Sequence, residues 1–74
     1  MTNITIHTDF IKLDQLLKFA GAAMTGSEAK EMILAGRVTV DGEICTQRGR
    51  KIQPGMCVAV DGGHTAAYAV GREG

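Results

Sequence analysis

The stretch VTVDGEI, residues 38–44, predicts a β-hairpin. Asp41 and Gly42 stand between β-forming residues. An Asp-Gly pair in this setting favours the two-residue type I′ turn, in which both central residues need a positive φ. Val38 and Val40 lie on one face of the first strand, and Thr39 lies on the other. The hairpin therefore presents an apolar face for other elements to cover.

The first of two helices upstream of the hairpin is predicted from about Leu13 to Ala23. Gly21 loosens its end, because glycine costs about 1 kcal/mol relative to alanine inside a helix. Phe19 lies beside the apolar stripe, and we expect it to pack against the sheet rather than to stack on a base. The stripe itself follows the 3.6-residue helical period and consists of Leu13, Leu16, Leu17 and Ala20.

The second helix has clearer ends. Thr25, with Glu28 three residues later, forms a capping-box pattern. Gly36 stands where a left-handed C-terminal cap belongs. The predicted buried face consists of Ala29, Met32, Ile33 and Gly36, and the opposite side consists of Ser27, Lys30, Glu31 and Leu34.

Short strands complete the predicted sheet. Residues 4–7 form the first strand, residues 56–60 follow a type II turn at Pro54-Gly55, and residues 65–70 form the last strand after a turn at Gly62-Gly63. This order of elements predicts an α+β fold with two packed helices on a small antiparallel sheet. We expect a single domain over residues 1–74, with a core from about 4 to 70 and a frayed tail from 71 to 74.

Positive charge is concentrated in one segment. Eight Lys and Arg balance eight Asp and Glu, yet Arg48, Arg50 and Lys51 fall within four consecutive positions after the hairpin. Arginine suits bidentate contact with phosphate, and lysine supplies a mobile point charge. A local positive field of this kind attracts phosphate, although a solvated turn with ordinary surface charge is the alternative.

Size and composition argue against an enzyme. A chain of 74 residues leaves little room for a deep catalytic cleft, and no nucleophile stands in a recognisable pattern with a base. We therefore expect no catalytic residue and no cofactor. We also expect no metal, since Cys45, Cys57, His7 and His64 fit no zinc spacing. The start of the chain does not resemble a signal peptide, and no apolar stretch is long enough for a membrane span. These features predict a cytoplasmic protein with reduced thiols and no membrane partner.

Five segments together resemble a known family. They are IKLDQLLK (11–18), TGSEAK (25–30), GRVTVDG (36–42), RGRKI (48–52) and Pro54-Gly55. In this order and spacing they resemble the S4 domain, the RNA-binding domain named after the fourth protein of the small ribosomal subunit. The closest resemblance is to its stand-alone bacterial subgroup of the YbcJ and YaaA type. It covers about residues 4–60 and implies an αL-motif fold, with structured RNA, often ribosomal, as the ligand.

The resemblance also implies the site residues. By position, RNA contacts are implied for Lys12 at the start of the first helix, Lys30 in the second, and Arg48, Arg50 and Lys51 after the hairpin. Arg37 and Ser27 are further candidates on the same surface. Solubility charge is the alternative explanation for Lys12, Lys30 and Arg37, and helix capping is the alternative for Ser27. Two positions depart from the family pattern. Gly26 stands where an arginine is usual, so the loop after the hairpin has to supply more of the phosphate contact. Met56 stands where an acidic residue is typical.

The sequence therefore predicts a non-catalytic RNA-binding protein that is ribosome-associated and monomeric. Its partner is structured RNA, either ribosomal RNA or a ribosomal particle, and RNA shape supplies most of the specificity. The alternative is a small protein–protein interaction adaptor whose basic loop binds an acidic partner.

Overall fold

A computed structural model describes residues 2–61 and 66–73. The turn predicted at Gly62-Gly63, His64, the predicted first residue of the last strand (Thr65) and the final residue of the predicted tail (Gly74) lie outside the described residues. Neither helix in the described part of the chain is long and apolar enough to span a bilayer.

Two helices pack on a small mixed sheet, which confirms the predicted α+β class. Five strands form the sheet in the order β1-β7-β6-β3-β4, and β2 and β5 form a separate two-stranded ribbon. In chain order the elements are β1 Thr2–Ile6, β2 Ile11–Lys12, α1 Leu13–Phe19, α2 Gly26–Leu34, β3 Val38–Val40, β4 Glu43–Ile44, β5 Lys51–Ile52, β6 Cys57–Val60 and β7 Ala66–Arg72.

The two helices end in the same way. Gly21 follows α1 with φ +80°, and Gly36 follows α2 with φ +75°. In α2 the Gly36 N–H donates to the Ile33 carbonyl and the Arg37 N–H donates to the Met32 carbonyl, which is the Schellman pattern. The equivalent pair of bonds at Gly21 ends α1 at Phe19, four residues before the predicted end.

The start of α2 and the hairpin turn both follow local sequence signals. Thr25 Oγ1 accepts a hydrogen bond from the Glu28 N–H at 3.1 Å. Asp41 and Gly42 have φ of 51° and 87°, and Val40 pairs with Glu43 across a two-residue turn, as the type I′ prediction requires. Asp41 also joins β3 to β6, because its carboxylate accepts a hydrogen bond from the Cys57 N–H at 2.9 Å.

The core lies between the helices and one face of the five-stranded sheet. Strand residues alternate between this face and the other, so the inward positions are buried: Ile4, Ile6, Val38, Val40, Val58, Val60, Tyr68 and Val70. The stripes of the two helices cover them, and the most deeply buried helix residues are Leu13, Leu16, Leu17, Ala29 and Ile33. The helix stripes predicted from the 3.6-residue period are therefore the ones that pack.

The first strand differs from the expected antiparallel sheet. β1 pairs with β7 in parallel, with Ile4 opposite Val70 and Ile6 opposite Arg72, while β7, β6, β3 and β4 pair antiparallel. The pairing joins the two ends of the described chain, so no local turn specifies its direction. It also extends β7 to Arg72, and the Glu73 N–H donates to the Ile6 carbonyl at 3.2 Å. Residues 71–73 are therefore held against β1, in contrast to the frayed tail expected there.

Phe19 does not pack against the sheet, so that expectation was wrong. The residue is 64% exposed. At 100° per residue it lies roughly 110° from the centre of the buried stripe of α1, and Leu16 and Leu17 already occupy the side that faces the core. Leu34, which was expected on the polar side of α2, is 58% exposed.

Replacing Gly36 by alanine tests the left-handed end of α2. An added Cβ would meet Ile44 Cγ2 at 3.8 Å, an ordinary contact, so the cost comes from the backbone conformation alone. We expect Gly36→Ala to lower the free energy of unfolding by about 1–2 kcal/mol, measured by urea denaturation. Gly49→Ala is the matched control, because Gly49 has no positive φ and an added Cβ there meets no atom within 4 Å. Equal stability of the two variants would contradict this account.

Candidate nucleic-acid interface

The β2–β5 ribbon determines which side chains of the basic loop face outward. Ile11 pairs with Ile52, and Lys12 pairs with Lys51. Ile52 is fully buried, and Ile11 packs against the core. Because neighbouring residues on a strand point to opposite faces, burial of the two isoleucines directs both lysines to the outside. The lysine that opens α1 and the last residue of the basic run therefore stand directly opposite each other.

Backbone hydrogen bonds attach the basic loop to the start of α1. The Leu13 N–H donates to the Arg50 carbonyl at 2.9 Å, and the Asp14 N–H donates to the Arg48 carbonyl at 3.1 Å. The first N–H groups of a helix have no partner inside the helix, and the N-cap residue Lys12 provides no side-chain cap. The loop carbonyls satisfy this requirement, so the arginine backbone is held while both side chains stay exposed.

Four cations are brought together in this way. We call Lys12, Arg48, Arg50 and Lys51 the basic cluster; all four side chains are exposed. Within residues 2–61 and 66–73, none of them has a carboxylate within 4 Å, since the contacts between basic and acidic side chains there are His7–Glu73 and Arg72–Asp9. Like charges directly opposite each other on paired strands are destabilising. The cluster is therefore a site of uncompensated positive charge that a bound anion would relieve.

One acidic residue, Asp14, lies next to the basic cluster. Its Oδ1 accepts a hydrogen bond from the Gln15 N–H at 2.8 Å, so the carboxylate is turned towards the start of its own helix. A carboxylate at a helix N-terminus is favoured by the helix dipole. Asp14 thus accepts a hydrogen bond at the start of α1 and forms no ion pair with an arginine of the described loop.

Lys30 and Ser27 lie on α2 and are exposed. Ala29, Met32 and Ile33 form the buried side of this helix, so Lys30 points away from the core as predicted. Thr25, and not Ser27, caps the helix, which removes capping as the explanation for Ser27. No hydrogen bond or ion pair in the described part of the chain joins either residue to the basic cluster. Their contact with RNA stays a prediction.

Arg37 lies in a different environment. Its Nε donates to the Asp61 carbonyl at 2.9 Å, and the Asp61 N–H donates to the Arg37 carbonyl at 2.8 Å. Arg37 also lines an open groove of about 630 Å³ together with Glu28 and Glu31. The guanidinium is thus partly used in holding β3 to the end of β6, and its role in RNA binding stays a prediction.

Gly26, which replaces the usual arginine of the family, leaves an open place at the start of α2. A Cβ added there meets no atom within 4 Å, so neither the space nor the core demands a glycine. Transfer of the phosphate contact from that position to the loop after the hairpin stays a prediction.

Phe10 also lies at this surface, although it was not predicted as a site residue. The Lys51 Nζ lies 4.9 Å from the centroid of its ring, within cation–π range. A signal was present, because Phe10 stands two positions before Lys12, and side chains two apart in an extended segment share a side. The aromatic ring therefore belongs to the surroundings of the basic cluster.

Side chains of the types that bind metals, including free thiols, also occur among the described residues. Among residues 2–61 and 66–73 there is no group of three His, Cys, Asp or Glu side chains that could hold a metal ion. Cys45 and Cys57 are free thiols. The Cys45 side chain is buried and lies 3.7 Å from the Gln47 carbonyl, so it packs beneath the start of the basic loop.

Comparison with known proteins supports the resemblance found in the sequence. The family model described as S4 domain matches residues 4–67, well over half of the chain. The probable ribosome maturation protein RlbA of Bacillus subtilis (strain 168) is 37% identical over 59 residues, which cover 80% of this chain and 83% of RlbA.

Two solved structures have the same fold. The solution structure of YbcJ from E. coli, described as having an αL motif involved in RNA-binding, matches with a TM-score of 0.67 and 31% identity over 93% of this chain and 87% of YbcJ. The trimeric structure of Vibrio cholerae heat shock protein 15 matches with a TM-score of 0.70 and 22% identity over 78% of this chain. The chain spans 59% of that protein's length.

The attachment of the loop to α1 predicts slow amide exchange at the start of that helix. We expect the Leu13 and Asp14 amides to exchange with deuterium almost as slowly as buried strand amides, since their bonds to the loop open only when the ribbon opens. Gly26 and Ser27 at the start of α2 are the internal control. No backbone carbonyl among the described residues accepts from either of their N–H groups. NMR-detected exchange at equal rates for the two helix starts would contradict the loop attachment.

Proposed function

The chain belongs to the S4 domain family, and from this membership we propose that it is a non-catalytic RNA-binding protein. It binds structured RNA, in ribosomal RNA or a ribosomal particle, through the basic cluster. Lys30, Ser27 and Arg37 are further contacts in this proposal. The protein works in the cytoplasm, where such RNA is found.

One observation is the main support for this proposal. Four exposed cations converge at the start of α1, although the whole chain has a formal net charge of zero. The loop backbone is held by Leu13 and Asp14, so the side chains project from a prepared surface. Binding then costs less conformational entropy than it would from a free loop.

The chemistry of the basic cluster suits the RNA backbone. The guanidinium groups of Arg48 and Arg50 offer planar, bidentate donors for phosphate oxygens. Lys12 on β2 and Lys51 on β5 add point charges that project from the outer face of the ribbon. Contacts of this kind position the protein without reading base identity. The shape of a folded RNA therefore has to supply much of the specificity, because an A-form helix hides its base edges in a deep, narrow groove.

The ribosomal part of the proposal rests on relatives. RlbA is named as a probable ribosome maturation protein, and YbcJ is described as having a motif involved in RNA-binding. Both cover most of this chain at more than 30% identity. Together with the basic cluster, they favour ribosomal RNA over an acidic protein as the partner.

Neutralising the loop tests the proposal directly. We expect the triple variant Arg48→Gln, Arg50→Gln, Lys51→Gln to bind purified bulk ribosomal RNA more weakly than the unmodified chain. The slope of log affinity against log salt should fall in magnitude by about 2–3, since each phosphate contact contributes about 0.7–0.9. Filter binding over a salt series measures both quantities.

Lys18→Gln, compared with the single variant Arg50→Gln, is the matched control for the loss of one positive charge. Lys18 is an exposed cation in the last turn of α1, at the opposite end of the helix from the basic cluster. We expect it to leave both affinity and slope near those of the unmodified chain. An unchanged salt slope in the folded triple variant would show that the loop does not contact phosphate.

Co-sedimentation tests the ribosomal part separately. We expect the unmodified chain to migrate with ribosomal particles in a sucrose gradient at low salt and to be released at high salt, because counterion release drives the association. The triple variant should remain at the top of the gradient in both conditions. Absence of the unmodified chain from ribosomal fractions at low salt would rule out a stable ribosomal partner and leave RNA binding itself to the filter assay.

A further inference from the structure

Phe10 is an aromatic ring held at the edge of the basic cluster. The Lys51 ammonium lies 4.9 Å from the ring centroid, and 36% of the residue is exposed. The Phe10 carbonyl accepts a hydrogen bond from Thr8 Oγ1 at 2.6 Å, which holds the backbone on which the ring is mounted. The neighbouring Asp9 pairs with Arg72 at 2.9 Å. The aromatic ring is thus held beside the Lys51 ammonium of the basic cluster.

We propose that Phe10 stacks on an unpaired nucleobase while the basic cluster holds the adjacent phosphates. This inference rests on the proposed RNA-binding function and extends it to a class of RNA, namely a helix interrupted by an unpaired nucleotide. Phosphate contacts do not discriminate between paired and unpaired bases. An aromatic ring does, because it needs the open face of a base that has left the helical stack.

The position of the ring, more than its exposure, supports this role. Phe10 directly precedes β2 and lies on the side from which Lys12 and Lys51 project, as its contact with Lys51 shows. Phe19 is more exposed, at 64%, yet it lies at the other end of α1. Within the described residues a cation lies over the ring of Phe10, and none lies over the ring of Phe19. Phe19 is therefore a matched control of the same residue type.

The first test compares two synthetic RNA hairpins that differ only in a single-nucleotide bulge. We expect the unmodified chain to prefer the bulged hairpin. Phe10→Leu keeps the apolar bulk but removes the aromatic face, and it should bind the bulged hairpin roughly tenfold more weakly. Binding to the fully paired hairpin should be unchanged. Phe10→Tyr should retain the preference, and Phe19→Leu should behave as the unmodified chain does.

The salt dependence separates stacking from a merely structural role. If Phe10 only positions Lys51, Phe10→Leu will lose a phosphate contact, and the salt slope will fall in magnitude by about 0.7–0.9. Stacking predicts weaker binding at an unchanged slope. Thermal denaturation of each variant checks that the fold is intact.

A fluorescence measurement tests the stacking contact itself. The chain contains no tryptophan, so Phe10→Trp introduces a single indole at this position. We expect the bulged hairpin to quench its emission strongly and the fully paired hairpin to quench it weakly. Phe19→Trp should respond to neither RNA.

The outcomes distinguish this inference from the function on which it rests. If the unmodified chain binds RNA without preferring the bulge, or if Phe10→Leu binds both hairpins as the unmodified chain does, the stacking role is overturned and the phosphate-binding role stands. Equal quenching of the Phe10→Trp variant by both hairpins would also overturn the stacking role and leave the phosphate-binding role standing. If the unmodified chain binds neither hairpin nor ribosomal RNA, the proposed function fails and this inference fails with it.

Discussion

The pairing of β2 with β5 is the constraint on which the functional surface depends. It buries Ile52 in the core beside Ile11 and thereby turns Lys12 and Lys51 outward. It also brings the loop carbonyls to the N-terminus of α1, where helix N–H groups need acceptors. A single element of two residues per strand therefore links the apolar core, the first helix and the basic loop. Loss of that link would release the loop without removing any of its charges.

Repulsion between two lysines of this surface is offset by burial in the core. Lys12 and Lys51 face each other with like charge, and the described residues place no carboxylate within ion-pair distance of either. Burial of Ile52 and Leu13, both fully inaccessible, holds the ribbon closed against this repulsion. A bound anion would relieve this repulsion, and the proposed RNA ligand would supply that negative charge. The ring of Phe10 lies against Lys51 on the same surface.

Much of the fold was predictable because its signals are local. The Thr25 cap, the left-handed end at Gly36 and the Asp41-Gly42 turn each depend on residues within a few positions of one another. The parallel pairing of β1 with β7 was not predictable in this way, since it joins residues about 66 positions apart and no turn connects them. The exposure of Phe19, by contrast, agrees with local periodicity, because the residue lies roughly 110° from the centre of the buried stripe of α1.

Local sequence was sufficient to predict the two amphipathic helices, the hairpin, the basic run at residues 48–51 and the resemblance to the S4 domain, because periodicity, turn chemistry and charge depend on neighbouring residues. The folded chain was needed to show that Lys12 lies opposite Lys51, that Arg37 donates to Asp61, and that Phe10 lies against Lys51. Each of these depends on a contact between distant segments. Burial of Ile11 and Ile52 is favourable and turns Lys12 and Lys51 outward. Arg37 and Asp61 meet because β3 pairs with β6.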